Sequence, residues 1–446
     1  MRHGGVVSRN CYKHERREHL AEISAFLGVR YNQELVEDMA AVICPPYDVI
    51  SSEEQKAYYE KSDYNVIRLE HGMVLPHDTK TNNKHTRACI AFNQWLKDRV
   101  LLIDHVPSFY IHEHGFTYQN IRKRRLGLTA CVRLEPWEKK IIFPHENTVP
   151  GIKSDRLELM RACPVNFSPL LGLYEDLGQK VTKLLTVQCG RKPAIDFTEA
   201  GETHKLWVAN EPEFVQRVSH FLASKPIYIA DGHHRYETAL TYRDERQQKT
   251  GHVKGNEAFN FVMITLVSFS DPGLVVLPVH RLIGNLSADA LTKFRTLLET
   301  HFELISVPLG ESGLPEIAGA TTRVLGLEPG NITALKIRQP SALRGIMPQG
   351  HSEAYKRLDI SIVQHLIIEK LTTVDKSRTI AYTPDAIEAR QVVENGQYQL
   401  AFLLNPIPVS AIKNIADSND KMPGKSTYFY PKLPTGLVIH RLEGTL

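Results

Sequence analysis

The run Asp231-Gly232-His233-His234-Arg235 gathers a carboxylate, a glycine, two imidazoles and a guanidinium within five residues. A short apolar strand, Ile227 to Ala230, leads into it, and a helical pattern follows from Arg235 towards Arg246. A strand that turns tightly into a helix presents free backbone N–H groups and the positive end of the helix dipole. Gly232 permits close backbone approach or a positive φ. Arg235 can grip a phosphate through two parallel bonds. The spacing therefore predicts a phosphate cradle made of Asp231, Gly232, His233, His234 and Arg235. The alternative is purely structural: Asp231 caps the helix and the other side chains sit on a solvated turn.

A second group is His145-Glu146-Asn147-Thr148, which follows the apolar Ile141-Ile142-Phe143 and a proline, with Lys153, Asp155 and Arg156 close behind. A carboxylate at a strand end beside His, Lys and Arg is a candidate general base or metal ligand. No second histidine stands four residues on, so a zincin site is excluded. His145, Glu146, Lys153 and Arg156 are the catalytic candidates. A third group is Lys425-Ser426-Thr427 after Gly424, with Lys432 beyond it. It lacks the spacing of a P-loop. These residues can donate to an anion, or merely form a loop before the strand Tyr428 to Tyr430.

His112-Glu113-His114 puts two histidines on one face of a strand. That pattern can hold a metal, but a solvated strand face is the expectation, and no metal ligand set is assigned. Arg122 to Arg125 reads as a basic hairpin tip in solvent. Pro45-Pro46 fixes the chain extended and suits the rim of a cleft bearing Asp48. Arg68, Glu70 and His280-Arg281 are further polar candidates.

These groups need a framework to bring them together. The chain has 446 residues, 42% hydrophobic and 23% charged, with a net charge of +4. Such a chain can bury a large core. The mild charge does not point to nucleic acid. No run of eighteen apolar residues exists, and the basic N-terminus has no apolar signal core. Six scattered cysteines without a Cys-x-x-Cys pair suit reduced thiols in the cytoplasm. Residues 1–20 read as a disordered extension. An N-terminal lobe is expected over 21–215 and a signature-containing lobe over 216–446. The spacing predicts helices over Thr86 to Val100, Ala288 to His301 and Ile360 to Leu371. Strands are expected over Val106 to Phe116, Leu126 to Leu134 and Tyr398 to Leu404, with Phe261 to Ser268 and Leu274 to Leu277 paired. Interspersed strands and helices without a βαβ rhythm imply α/β or α+β with a mixed sheet.

Asp231 to Arg235 resembles the phosphate-binding signature of the ParB/sulfiredoxin superfamily, above all its ADP-dependent free-serine kinases. Nearly the whole chain resembles the domain-of-unknown-function 1015 family. The phrases that carry this are Pro45-Pro46-Tyr47-Asp48-Val49-Ile50-Ser51, Asn65 to Glu70 and Pro144-His145-Glu146-Asn147-Thr148 with Asp155-Arg156-Leu157. Pro278 to Leu282 and Met422 to Leu433 complete them. The resemblance implies a ParB/sulfiredoxin-like nucleotide-binding core with added lobes. It also implies a kinase acting on a small hydroxyl metabolite such as free serine, with ATP or ADP and Mg²⁺ as cofactors. Free-serine kinases place their catalytic glutamate shortly before the signature. Here 230 residues precede Asp231, so Glu146 and Glu70 both remain candidates. A phosphatase-type hydrolase and a non-enzymatic nucleotide-binding switch are the other readings of the same cradle. The partners expected are nucleotide and small-molecule substrate, with neither membrane nor nucleic acid.

Overall fold

The computed structural model describes residues 21–148, 150–251, 254–309, 322–328, 330–339, 343–374 and 378–446. The extension expected over 1–20 lies outside the described residues, as does the side chain of Lys153.

The architecture is mixed α/β. Strands β1 (Ile23–Ser24), β2 (Phe109–Tyr118), β3 (Ile121–Arg133), β4 (Ile142–Phe143), β5 (Leu170–Tyr174), β6 (Ile195–Glu199), β7 (Glu202–Ala209), β8 (Ile227–Asp231) and β9 (Phe261–Ser268) form one large sheet. Its order is β4-β8-β5-β9-β3-β2-β7-β6, and β1 pairs with β3. β8 runs parallel to β4 and antiparallel to β5, while β9 runs parallel to β5 and antiparallel to β3. The sheet thus takes strands from both sides of residue 215.

A second sheet uses β11 (His280–Gly284), β12 (Phe302–Pro308), β13 (Thr322–Leu325), β14 (Asn331–Ile337), β15 (Thr379–Thr383) and β16 (Leu400–Leu404), in the order β12-β14-β13-β16-β11-β15. A short ribbon pairs β10 (Val275–Leu277) with β17 (Tyr428–Tyr430). The pairing expected between 261–268 and 274–277 is therefore corrected: β10 takes the distant β17 as partner, while β9 is already flanked by β3 and β5.

Side chains explain why the central strands lie inside. Alternate residues of a strand face opposite sides of the sheet. Ile227, Ile229, Ile264 and Leu266 face one apolar cluster, where helix α3 (Pro212–Ala223) adds Phe214, Val218 and Leu222. Leu171, Leu173, Tyr228, Ala230 and Val267 face another, shared with Ile283, Phe402 and Leu404 of the second sheet and Phe294 of helix α5 (Ala288–His301). Strands covered on both faces read as continuous apolar runs. Helix α4 (His233–Thr250) follows β8 and buries Tyr236, Ala239 and Tyr242 at helical spacing.

Two expectations for the β2–β3 hairpin are overturned. The turn falls at Gln119 and Asn120, both at positive φ, so Arg122 to Arg125 lie within β3. Arg122 and Arg124 are exposed, as expected of a solvated tip, whereas Arg125 is fully buried. His112 and His114 are also buried, because their strand face packs inward rather than meeting solvent. The described cysteines are free, and no described helix is long and apolar enough to cross a membrane.

Candidate functional site

β8 ends at Asp231, and Gly232 turns the chain into α4 with φ of 92°. A Cβ at Gly232 would stand 3.0 Å from Leu170 Cγ and 3.1 Å from Arg235 Nε, so only glycine fits without adjustment. The N-cap of α4 is Gly232, which has no side chain to cap the helix. Asp231 does not cap the helix. It pairs instead with Arg235 NH2 at 3.0 Å and with the Lys432 ammonium. Burial would raise the Asp231 carboxyl, but Lys432 and Arg235 outweigh it and hold the group far below the usual range. Burial also opposes the charge on Lys432, and Asp231 beside it holds the ammonium protonated.

Arg235 is anchored rather than free. Its NH1 donates to Ser168 Oγ and to the Pro169 carbonyl, both at 2.9 Å. The guanidinium thereby fixes the start of α4 against the loop before β5. Behind it, Ser168 Oγ donates to Glu70 Oε1 at 3.1 Å, and Arg156 NH1 donates to the Glu70 carbonyl at 2.6 Å.

Glu146 lies across the turn from this cluster. Its Oε1 accepts from Ser426 N at 3.0 Å, Thr427 N at 2.7 Å and Thr427 Oγ1 at 2.7 Å. The two segments are tied by Met422 N donating to the His145 carbonyl and Asn147 N donating to the Met422 carbonyl. His145 is buried, with Nδ1 2.7 Å from the Ile229 carbonyl and Nε2 2.9 Å from Thr427 Oγ1. Its backbone N–H donates to His233 Nε2 at 3.3 Å. Burial, then His145, push His233 down to about 3, so its ring is neutral. Burial would raise Glu146 as well, but His145 beside it and hydrogen bonding from Thr427 hold it at about 2.

These residues surround one cavity of about 360 Å³. Asp231 to Arg235, Glu146, Lys425, Thr427 and Lys432 all line it. The sequence groups at 145–148, 231–235 and 425–427 thus meet, and Tyr47 and Asp48 form part of the rim. Glu70, Arg68, His280 and Arg281 do not reach the lining, and neither do three residues of the principal groups. His145 packs behind Glu146. Ser426 is buried and turns its hydroxyl to the Pro423 carbonyl. Arg156 sits behind Tyr47, with its guanidinium carbon 4.2 Å from the ring centre. It pairs there with Glu70 and Asp155. Tyr382, Thr383 and Glu388 also line the cavity, from the second sheet and the helix Ala386–Glu394. Sequence reading missed them, since nothing local marks them. Lys432 is the other underrated residue; its only signal was a lysine near a candidate anion loop.

The cavity suits a phosphorylated ligand. Its volume falls within the usual range of small-molecule sites, about 300–1,000 Å³. A glycine-turned helix start, Lys425 and the Lys432–Asp231–Arg235 cluster give one wall excess positive charge. Asp48, Glu146 and Glu388 supply carboxylate oxygens, the donor type that Mg²⁺ prefers.

Among solved structures, a conserved hypothetical protein from Pyrococcus furiosus is similar at TM-score 0.36 and 12% identity, covering 67% of this chain and 92% of that one. A free serine kinase mutant in complex with ADP gives TM-score 0.34 and 13% identity, with 67% and 89% covered. SbnI from Staphylococcus aureus, truncated at its C-terminus, gives TM-score 0.33 and 10% identity, with 71% and 87% covered. No curated protein matches the sequence. The family described as "Protein of unknown function (DUF1015)" matches residues 23–361, and the chain belongs to it.

Proposed function

We propose that this protein is a nucleotide-dependent phosphotransferase acting on the hydroxyl of a small metabolite, with free serine as the first acceptor to test. The observation that carries this reading is the pairing, across one cavity, of a glycine-turned helix start and the lysines Lys425 and Lys432 with the carboxylate of Glu146. The resemblance of Asp231 to Arg235 to the free-serine-kinase signature points the same way.

Phosphoryl transfer asks a protein mainly for positioning and charge stabilisation. The start of α4 at His233, with its positive dipole end, faces the phosphate oxygens. Lys432 and Lys425 offset their charge. Arg235 keeps the helix start in place through Ser168 and Pro169. The acceptor oxygen bonds to the terminal phosphorus as the bond to the nucleotide breaks, and the hydroxyl proton leaves to a nearby carboxylate. A carboxyl held at about 2 is a weak base, so Glu146 serves better as a fixed negative charge than as proton acceptor. Magnesium, when bound with the nucleotide, supplies neutralisation of phosphate charge, and Glu146, Asp48 and Glu388 are the groups that would hold it. All three hydrogen bonds to Glu146 fall on Oε1.

The test is incubation with ATP or ADP, Mg²⁺ and either serine or a metabolite pool, followed by mass spectrometry. A new phosphorylated metabolite and an equal amount of shortened nucleotide are expected. Nucleotide consumed with only free phosphate released would make the protein a hydrolase. Nucleotide bound but never consumed would make it a switch.

A further inference from the structure

Away from the nucleotide cavity, the large sheet buries a cluster of histidines. His112 and His114 are two apart on β2 and so share a face. His204 on β7 stands directly opposite His114 in the antiparallel register. Their exposures are 4%, 1% and 4%. Ring nitrogens, one from each, all lie within 4.8 Å of one another. His112 Nε2 is 3.1 Å from His204 Nδ1. Glu202, two residues before His204 and on the same face, places Oε2 2.6 Å from His114 Nε2.

We propose that His112, His114 and His204 form a binding site for a divalent transition-metal ion of the zinc type, with Glu202 as the carboxylate partner of His114. Imidazole suits zinc, copper, iron and nickel, whereas magnesium and calcium prefer oxygen. Two histidines at i and i+2 plus a third from the adjoining strand give three nitrogens on a rigid surface. A ligating histidine commonly gives its other ring N–H to a carboxylate, which sets its tautomer; Glu202 is placed for that. A small cavity of about 10 Å³, lined also by Leu433, Pro434 and Val438, adjoins His112.

One group opposes the ion. Arg125, opposite His114 on β3, points NH2 at His114 Nδ1 from 3.2 Å, and its NH1 has no partner. Its N–H competes with a metal for the His114 Nδ1 lone pair. Metal entry therefore displaces the Arg125–His114 bond.

Titration of the full chain with Co²⁺, followed by visible absorption, and metal analysis after dialysis against Zn²⁺ test the proposal. One ion per chain, with the absorption of a nitrogen-ligated cobalt, is expected. His204→Ala should lose that ion, as should the milder His112→Gln, each checked by circular dichroism for an intact fold. Arg125→Gln should bind at least tenfold more tightly. No retained metal in the folded wild type overturns the proposal. So does retention unchanged in both histidine variants, which would place the ion elsewhere. The cluster does not line the nucleotide cavity, so kinase activity can fail or stand independently of this result.

Discussion

Glu146 accepts hydrogen bonds from the backbone of Ser426, 280 residues further along the chain. The carboxylate occupies the N–H groups of 426 and 427 that the sequence suggested for a phosphate. The loop therefore holds a catalytic candidate, and the proposed phosphate contacts fall to the start of α4 and the lysines.

Glu146→Gln keeps an acceptor for those N–H groups and removes the charge. Turnover should fall, because a fixed negative charge of the cavity is lost, while nucleotide affinity changes little. Partial recovery at raised Mg²⁺ would assign Glu146 to the ion. Unchanged turnover in steady-state assays would remove it from the site.

Arg235→Ala should act on both stability and binding, since it strips donors from Ser168, the Pro169 carbonyl and Asp231. Bonds involving charged groups contribute about 1.5–3 kcal/mol each. A lower melting temperature together with weaker nucleotide binding by calorimetry is expected. Full stability with weakened binding would mean that Arg235 contacts the ligand directly.

Gly232→Ala places a side chain at φ of 92° against Leu170 and Arg235. Left-handed backbone alone costs about 1–2 kcal/mol for a residue with a Cβ. Phosphate or nucleotide affinity should drop with it, because the start of α4 shifts. An unaltered titration curve would show that the turn does not touch the ligand.

Acid should destabilise the fold before the carboxylates titrate. Burial holds His233 at about 3, and His204, His280 and His440 at about 4. In the unfolded chain each sits near 6.5. The unfolded state therefore binds more protons between about pH 4 and 6.5, and stability falls as pH drops through that window. Glu146 works in a lower range: its folded value of about 2 gives stability that is present above about 4.3 and lost only below it. Melting temperatures from pH 7 down to about 4.5 should decline steadily. A flat profile would mean that these rings are not neutral when folded.

The sequence showed what is local. The strand, glycine turn and helix at 227–250 need only near neighbours, and the structure has them. The meeting of 145–148 with 231–235 and 425–427 was foreseeable as polar groups at strand ends. Which atoms pair was not, because Lys432 reaches Asp231 across 201 residues. Tyr382 and Glu388 were missed because an edge strand and a helix face carry no mark of what they overhang. Arg125 was misread since four consecutive basic residues look solvated, although the turn lies at Gln119 and Asn120.

The shared apolar cluster beneath the two sheets also fixes how the cavity meets a ligand. Leu171, Tyr228 and Val267 of one sheet interlock with Ile283, Phe402 and Leu404 of the other. Exposing each such side chain costs about 1.5–3 kcal/mol. The wall bearing Tyr382 and Glu388 cannot swing away as a rigid flap without breaking that cluster. The cavity is thus a preformed cleft whose two walls share one core, and on the proposed reading a nucleotide meets both walls already in place.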